Sequence, residues 1–200
     1  MPQYTFIIFG PSGSGKGTQA ELLIEYLKKT DPNRQTFYIE TGQRFREFAK
    51  DNSYTAKLVK EIIDHGSLAP EFLPIWMWTD FLVKNISGNE HLILDGLSRV
   101  VHEAPVLDSA MRFYKRENPF VISIEVSERW STERLLSRAR TDDTLEDIKN
   151  RLSWYKKSVT PAIDYFKNDP YYKFVEVNGE QTIPEVHKEI MGKLNIRSNE

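Results

Sequence analysis

The chain has 200 residues, of which 40% are hydrophobic and 28% are charged, so it can bury one core and is unlike disordered or fibrous proteins. Its 27 lysines and arginines face 29 acidic residues, and the resulting net charge of −2 speaks against a general nucleic-acid binder. The complete lack of cysteine excludes disulfides, thiolate zinc sites and cysteine nucleophiles.

Neither a secretory signal nor a membrane span is predicted. The first residues lack the basic start and apolar stretch of a signal peptide. No apolar run approaches the roughly 20 residues that cross a bilayer. We therefore expect a cytoplasmic protein that binds neither membranes nor nucleic acid.

Short apolar runs alternate with amphipathic stretches along the chain. Residues 4–9 (YTFIIF) form an aromatic and β-branched run that ends at a glycine, which is typical of a strand buried on both faces of a parallel sheet. A helical period begins at Lys16. Further strands are predicted at residues 36–39, 91–94, 120–126 and 173–177. Five strands separated by helices indicate an α/β fold.

Three further stretches are predicted to be helical. Residues 41–70 contain two helix-like pieces and are longer than one crossover requires, which predicts a mobile excursion. Residues 145–166 are strongly helical, although Pro161 should break or kink the helix. Residues 185–194 predict a closing amphipathic helix.

A glycine-rich turn follows the first strand. Residues 10–18 (GPSGSGKGT) match G-x-x-x-x-G-K, with a threonine one place later than the strict pattern asks. Glycines let consecutive backbone N–H groups face an anion, and Lys16 reaches the oxygens between which charge moves. This pattern predicts a nucleoside triphosphate site; the alternative is a glycine-rich turn with a solvated lysine.

Asp95 directly follows the apolar run at residues 91–94. This arrangement places a carboxylate beside a phosphate-bound Mg²⁺, although such an aspartate can also simply cap a turn. No Asn-Lys-x-Asp sequence of the kind that reads guanine in GTPases is present, and the chain is small for a motor. These observations favour a small-molecule kinase.

Several motifs resemble those of the adenylate kinase family of nucleoside monophosphate kinases. Residues 10–19 (GPSGSGKGTQ) are similar to the phosphate loop of that family. Its monophosphate-binding motifs are similar to Thr41, Gly42 and Arg46 and to residues 66–70 (GSLAP) and 95–99 (DGLSR). Its lid arginines and the helix after them are similar in order to Arg134, Arg138, Arg140 and Arg151. Residues 177–181 (VNGEQ) resemble its last strand and adenine-side loop. The resemblance covers nearly the whole chain in the right order.

The resemblance implies a three-layer P-loop NTPase fold, with a five-stranded parallel sheet and helices on both faces. It implies a single domain over residues 1–200, with a mobile monophosphate-binding segment at about 41–70 and a very short lid at about 134–143. It also implies a monomer that takes ATP and a nucleoside monophosphate as substrates, uses Mg²⁺ and contains no zinc.

The resemblance further assigns roles to individual residues. ATP would bind at Ser12, Gly13, Ser14, Gly15, Lys16, Gly17, Thr18, Arg134, Arg138 and Gln181. The monophosphate would bind at Thr41, Gly42, Arg46, Ala69, Arg99, Glu103, Arg140 and Arg151. Catalysis would depend on Lys16, Arg99, Arg134, Arg138, Arg140 and Arg151, with Mg²⁺ held through water at Thr18 and Asp95. Asp142 and Asp143 would orient arginines and hinge the lid.

Three positions depart from the pattern of the family. Arg138 and Arg140 are separated by one residue, which leaves no room for a zinc-binding insert and predicts less complete closure over ATP. Ser98 replaces a usual proline and predicts a less stiff loop before Arg99. Glu103 occupies the position of a base-reading glutamine.

Glu103 bears on the choice of acceptor base. A glutamine offers adenine both a donor and an acceptor, whereas an ionised glutamate only accepts and would suit the N–H groups of guanine. Two alternatives are that His102 reads the base and that Glu103 faces solvent on its helix.

The expected reaction is ATP plus AMP giving two ADP, and GMP, CMP or UMP as the acceptor stays open. A P-loop kinase for a non-nucleotide small molecule would explain the loop but not Thr41, Gly42 or Arg99. A nucleotide-binding module without catalysis is the other rival, and the presence of Lys16 and Asp95 argues against it.

Overall fold

The computed structural model describes residues 2–138, 140 and 143–196. The described residues form one parallel sheet of five strands in the order β2-β3-β1-β4-β5. The strands are β1 (Thr5–Phe9), β2 (Thr36–Glu40), β3 (His91–Asp95), β4 (Phe120–Glu125) and β5 (Lys173–Asn178). All five predicted strands are confirmed to within one residue at each end.

Helices connect the strands. They are α1 (Lys16–Thr30), α2 (Thr41–Phe48), α3 (Tyr54–Asp64), α4 (Phe72–Asn85), α5 (Glu103–Phe113), α6 (Glu128–Arg138), α7 (Leu145–Trp154), α8 (Thr160–Lys167) and α9 (Ile183–Leu194). The two predicted helical pieces of residues 41–70 are α2 and α3, and α9 begins two residues before its predicted start. None of the helices in the described part of the chain is both long and apolar enough to span a bilayer.

Alternating side chains of β1 divide the core into two layers. Ile7 and Phe9 belong to a buried cluster that contains Trp78 of α4, Leu107 of α5 and Phe166 of α8. Phe6 and Ile8 point to the other face, where Leu23 of α1 and Ile190 of α9 cover them. The predicted arrangement of one sheet between two helical layers is confirmed.

The long helical stretch does change its geometry before Pro161. A π-helical turn, Tyr155–Val159, joins α7 to α8, and the Thr160 N–H donates to the carbonyl oxygen of Tyr155, five residues earlier. Proline lacks the N–H that an α-helix needs and crowds the carbonyl four residues before it. The chain therefore widens by one residue instead of ending, and Trp154 and Tyr155 line the cavity described below.

Candidate active site

The strand order brings the predicted motifs to one edge of the sheet. Ile8 at the end of β1 and Glu40 at the end of β2 are both opposite Asp95 at the end of β3. β1 separates β3 from β4, so the strand order reverses there. Ligands of open α/β sheets bind outside the carboxyl ends of the strands at such a point.

The loop between β1 and α1 packs closely against α6. Gly13 has a φ of 84°, and a Cβ at this position would lie 2.8 Å from the carbonyl oxygen of Ser131, so only glycine fits. Lys16 Nζ donates to the carbonyl oxygens of Gly10 at 2.7 Å and Pro11 at 3.0 Å. Burial lowers the pKa of Lys16, whereas the nearby Asp95 raises it. The ammonium group is therefore fixed at the loop.

Asp95 is buried at the end of β3. Burial raises its pKa, and the charge of Lys16 opposes that shift. The Tyr38 hydroxyl donates to Asp95 Oδ2 at 3.0 Å. Sequence reasoning missed Tyr38, although its position two residues before the end of a strand next to β3 is a usable signal. Within the described residues, no group of three or more His, Asp or Glu side chains is placed to hold a metal ion.

A cavity of about 600 Å³ collects most of the predicted site residues. The phosphate loop and the end of β3 contribute Ser12, Gly13, Gly15, Lys16, Gly17, Thr18 and Asp95. The other predicted residues that line it are Gly42, Arg46, Ala69, Arg99, Glu103, Arg134, Arg138, Arg140 and Arg151. Residues more than 130 positions apart in the chain thus share one cavity.

Asp143 joins two of the predicted arginines. Arg138 donates to both of its carboxylate oxygens at 2.9 Å, and Arg151 donates to Oδ1 at 2.6 Å. Burial alone would raise the pKa of Asp143, but these bonds outweigh it and lower the pKa. The prediction that Asp143 orients arginines is confirmed, whereas Asp142 lies outside the described residues. Arg134 precedes Arg138 on the same helix, and its guanidinium carbon lies 4.7 Å from the ring centroid of Trp130.

Two further arginines converge on Gly42. A Cβ built there would lie 3.2 Å from Arg46 Nη1 and 3.5 Å from Arg99 Nη2. Arg46 Nη2 also donates to Glu40 at 3.0 Å. Arg99 Nε donates to the Gly96 carbonyl oxygen at 3.0 Å. The first residues of α2 therefore lie beneath two guanidinium groups.

Three predicted ligands do not line the cavity. Ser14 and Thr41 are buried, and their hydroxyl oxygens have no hydrogen-bond partner within the described residues. Gln181 donates to the Asn178 carbonyl oxygen at 2.8 Å and to Glu189 at 2.6 Å. The amide of Gln181 is thus occupied by the contact between β5 and α9, and this position does not support its assignment to ATP.

The structure corrects both alternatives for the base-reading position. Glu103 is 2% exposed and lines the cavity, so the solvent-facing alternative is wrong. The side chain of His102 is 76% exposed, and its Nδ1 lies 3.2 Å from Glu71. His102 is outside the residues that line the cavity, so it is not placed to read a base there.

Ser98 has a backbone conformation that proline cannot adopt. Its φ of 59° lies in the left-handed region, which proline, with a φ near −65°, cannot adopt. The next N–H, that of Arg99, donates to Glu103 Oε2 at 2.6 Å. This contact and the bond from Arg99 to Gly96 both hold the loop, and the expected loss of stiffness stays a prediction.

Residues 41–70 contact α7 at a point that sequence reasoning missed. Trp154 Nε1 donates to the Gly66 carbonyl oxygen at 2.9 Å. Gly66 has a φ of 60°, and a Cβ there would lie 2.9 Å from the Asp147 carbonyl oxygen. A glycine in this turn allows the close approach of the two segments.

The chain is similar to known proteins over nearly its whole length. The family model described as adenylate kinase matches residues 8–171. An adenylate kinase of Azobacteroides pseudotrichonymphae is 33% identical over 192 residues, which cover 94% of this chain and 95% of the relative. An adenylate kinase of Flavobacterium psychrophilum is 32% identical, with 94% and 97% covered, and adenylate kinase 1 of a Nostoc species is 31% identical, also with 94% and 97% covered.

The parallel sheet, the phosphate loop and the arginine-lined cavity define a P-loop phosphotransferase that acts on nucleotides. Within that class, the chain belongs to the adenylate kinase family and is a nucleoside monophosphate kinase.

Proposed function

We propose that this chain transfers the γ-phosphoryl group of Mg·ATP to AMP and so forms two molecules of ADP. The observation that carries the proposal is the charge of the cavity. Among the described residues, seven Lys and Arg side chains line it against four acidic ones, although the whole chain has a net charge of −2. Two polyanions that meet end to end require such a local excess of positive charge.

The donor would lie on the loop after β1. Backbone N–H groups there and the start of α1 favour an anion, and Lys16 adds a charge at the same place. Because Gly13 packs against α6, the arginines at the end of that helix, Arg134 and Arg138, can reach the same phosphates. Guanidinium groups suit this role, since they stay protonated and present forked donors.

The acceptor phosphate would bind where Arg46 and Arg99 converge over Gly42. Arg140 and Arg151 line the cavity as well, and we assign them to the transferring phosphoryl group. No strong base is needed, because the attacking oxygen already belongs to a phosphate anion. Catalysis then consists of positioning the two phosphates and neutralising the charge between them.

The residues near the phosphate loop fit Mg²⁺. Asp95 and Thr18 both line the cavity and offer the oxygen donors that this ion prefers. The buried carboxylate of Asp95 also gains from a cation that offsets its desolvation. When bound, Mg²⁺ would neutralise charge on the β- and γ-phosphates. The absence of a zinc site stays a prediction.

Two parts of the chain would cover the substrates. Residues 41–70 would close over the acceptor phosphate, and the predicted short lid, at about residues 134–143, would close over the donor, so that water is kept from the phosphoryl group. Ala139, Thr141 and Asp142 of that lid lie outside the described residues. We further propose that residues 1–200 act as a single domain in a cytoplasmic monomer.

The experiment that tests this function measures the activity of the unmodified chain, of a variant of the phosphate-loop lysine and of a control variant of an exposed lysine. ATP and Mg²⁺ are incubated with AMP, GMP, CMP or UMP, and the diphosphates are measured. Lys16→Met should lower turnover by orders of magnitude while circular dichroism stays unchanged. Lys84→Met, at an exposed residue of α4, should leave turnover unchanged. Near-normal turnover of Lys16→Met, or no phosphorylation of any monophosphate by the unmodified chain, would contradict the proposal.

A further inference from the structure

One carboxylate lies beside the position proposed for the acceptor phosphate. Glu40 ends β2 and lines the cavity, and its Oε1 accepts a hydrogen bond from Arg46 Nη2 at 3.0 Å. A Cβ built on Gly42 would lie 3.4 Å from this oxygen, 3.2 Å from Arg46 Nη1 and 3.5 Å from Arg99 Nη2. Two cations and one anion therefore surround the start of α2.

The pairing of the strands places Glu40 near the reacting phosphates. Glu40 is opposite Asp95 in the register of β2 and β3, so both carboxyl groups stand at the carboxyl edge of the sheet. Alternate residues of a strand share a face, and Tyr38 is two residues before Glu40. The Tyr38 hydroxyl donates to Asp95 and would lie 3.9 Å from a Cβ built on Gly17. Glu40 therefore belongs to the face of β2 that is turned to the phosphate loop.

The charge of Glu40 acts on groups at both phosphate positions. Burial lowers the pKa of Lys16 and of Arg99, and the charge of Glu40 opposes that shift in each case. Burial raises the pKa of Asp95, and the charge of Glu40 adds to that shift. A phosphate that binds among the same cations is therefore repelled by this carboxylate.

The ion pair between Glu40 and Arg46 is open to exchange. The two side chains are 28% and 35% exposed, so solvent screens the pair and keeps it weak. A phosphate over Gly42 can bond to Arg46 and Arg99 together, and it carries about two charges near neutral pH. The carboxylate of Glu40 carries one. A phosphate can therefore replace Glu40 as the partner of Arg46, although the existing pair must break first.

Resting on the proposed function, we infer that Glu40 competes with the acceptor phosphate for Arg46 and so sets the affinity of the site for monophosphates. Before the acceptor binds, Glu40 holds the guanidinium of Arg46 over Gly42. The acceptor phosphate displaces the carboxylate, which recovers Arg46 when the product leaves. Glu40 is thus a positioning residue, because it acts on the acceptor through Arg46. A nucleoside without a phosphate does not displace it.

The first test compares the Kd of AMP with the Kd of adenosine, both measured by NMR titration. Glu40→Gln keeps the shape of the side chain and an acceptor oxygen but removes the charge, so the Kd of AMP should fall about threefold to tenfold. The Kd of adenosine, which has no phosphate, should stay unchanged. Glu47→Gln, at an exposed residue of α2, removes the same charge from the same segment and should leave both constants unchanged.

A double variant separates competition from a structural role. In Arg46→Gln the ion pair is already broken, so adding Glu40→Gln should lower the Kd of AMP much less than it does in the unmodified chain. A purely structural role of Glu40, as a negative charge at the N-terminus of α2, would instead change the Kd of AMP and of adenosine together. Circular dichroism checks that each variant is folded.

Kinetics gives an independent readout. At saturating Mg·ATP, the KM for AMP should fall in Glu40→Gln by a factor similar to that of the Kd. An unchanged or raised Kd for AMP, equal changes for AMP and adenosine, or an undiminished effect in the Arg46→Gln background overturns the inference even if AMP is phosphorylated. Absence of phosphorylation together with the expected Kd values would contradict the proposed function alone. Failure of AMP to bind to the unmodified chain would contradict both.

Discussion

Replacing Asp143 by asparagine tests whether one buried carboxylate holds two arginines of the site in place. The side chain of Asp143 is fully buried, whereas those of Arg138 and Arg151 are 34% and 11% exposed. Asparagine has nearly the same shape and keeps one acceptor oxygen. Its amide group, however, would face a guanidinium donor, so both arginines would lose their counter-charge.

The magnitude follows from the number and burial of these contacts. A hydrogen bond to a charged group contributes about 1.5–3 kcal/mol, and removal of one partner of a buried pair costs about 3–5 kcal/mol. Partial exposure of Arg138 reduces this cost, so we expect a loss of about 2–3 kcal/mol. For a chain of this length, that loss lowers Tm by about 4–12 °C. Displaced arginines should also lower kcat/KM by about 10²-fold.

The assay compares Tm and kcat/KM of Asp143→Asn with those of Asp80→Asn at pH 7.5. Asp80 pairs with Lys84 at 2.8 Å on the exposed face of α4, and its removal should cost about 0–0.5 kcal/mol. The pKa of Asp143 is lowered in the fold, so its stabilisation is complete above the unfolded value of about 3.9 and is lost as the pH falls through the folded value. Equal Tm and kcat/KM for the two variants would refute the reasoning.

Two other predictions concern contacts that only the structure identified. The Tyr38 hydroxyl donates to Asp95 and thereby lowers the pKa of that carboxyl group. Because Tyr38→Phe removes this hydroxyl, the acidic limb of the kcat profile should move to higher pH. Half-maximal activity should also need about threefold to tenfold more Mg²⁺. Unchanged Mg²⁺ titration would contradict that role. Gly66→Ala places a Cβ 2.9 Å from the Asp147 carbonyl oxygen, so KM for the monophosphate should rise. The rise should be larger than in the control Gly88→Ala, where φ is also positive but no atom lies within 4 Å of the added Cβ. Equal KM values in the two variants would show that backbone strain alone acts.

The strands and the phosphate loop could be predicted because their signals are local. An apolar run such as residues 4–9 and the glycines after it are contiguous, so a short window contains the whole pattern. The change of helix geometry before Pro161 was predictable for the same reason, since proline acts on its own helix. The fold class then followed from the alternation of strands and helices.

The burial and hydrogen-bond partners of individual side chains could not be predicted, because they depend on contacts that local sequence patterns do not contain. Helical period alone could not decide whether Glu103 faces solvent, because the left-handed Ser98 turns the Arg99 N–H onto its carboxylate. Gln181 was assigned to ATP from its position in a motif, but Glu189 on α9 binds its amide. Trp154 gave no local signal, since its partner Gly66 is 88 residues away.

The two edges of the sheet show why burial of charge alone does not mark a site. At the amino edge, Arg116 is fully buried, and its guanidinium donates to Gln3, Tyr4, Thr5 and Glu90, so its donors are used within the fold. At the carboxyl edge, the part of the chain that the structure describes contributes seven cationic and four acidic side chains to the cavity. A cation whose hydrogen bonds are complete stabilises the native chain, whereas an excess of cations in one cavity raises its energy until an anion binds. The excess of cations at the carboxyl edge therefore favours the binding of nucleotide phosphates.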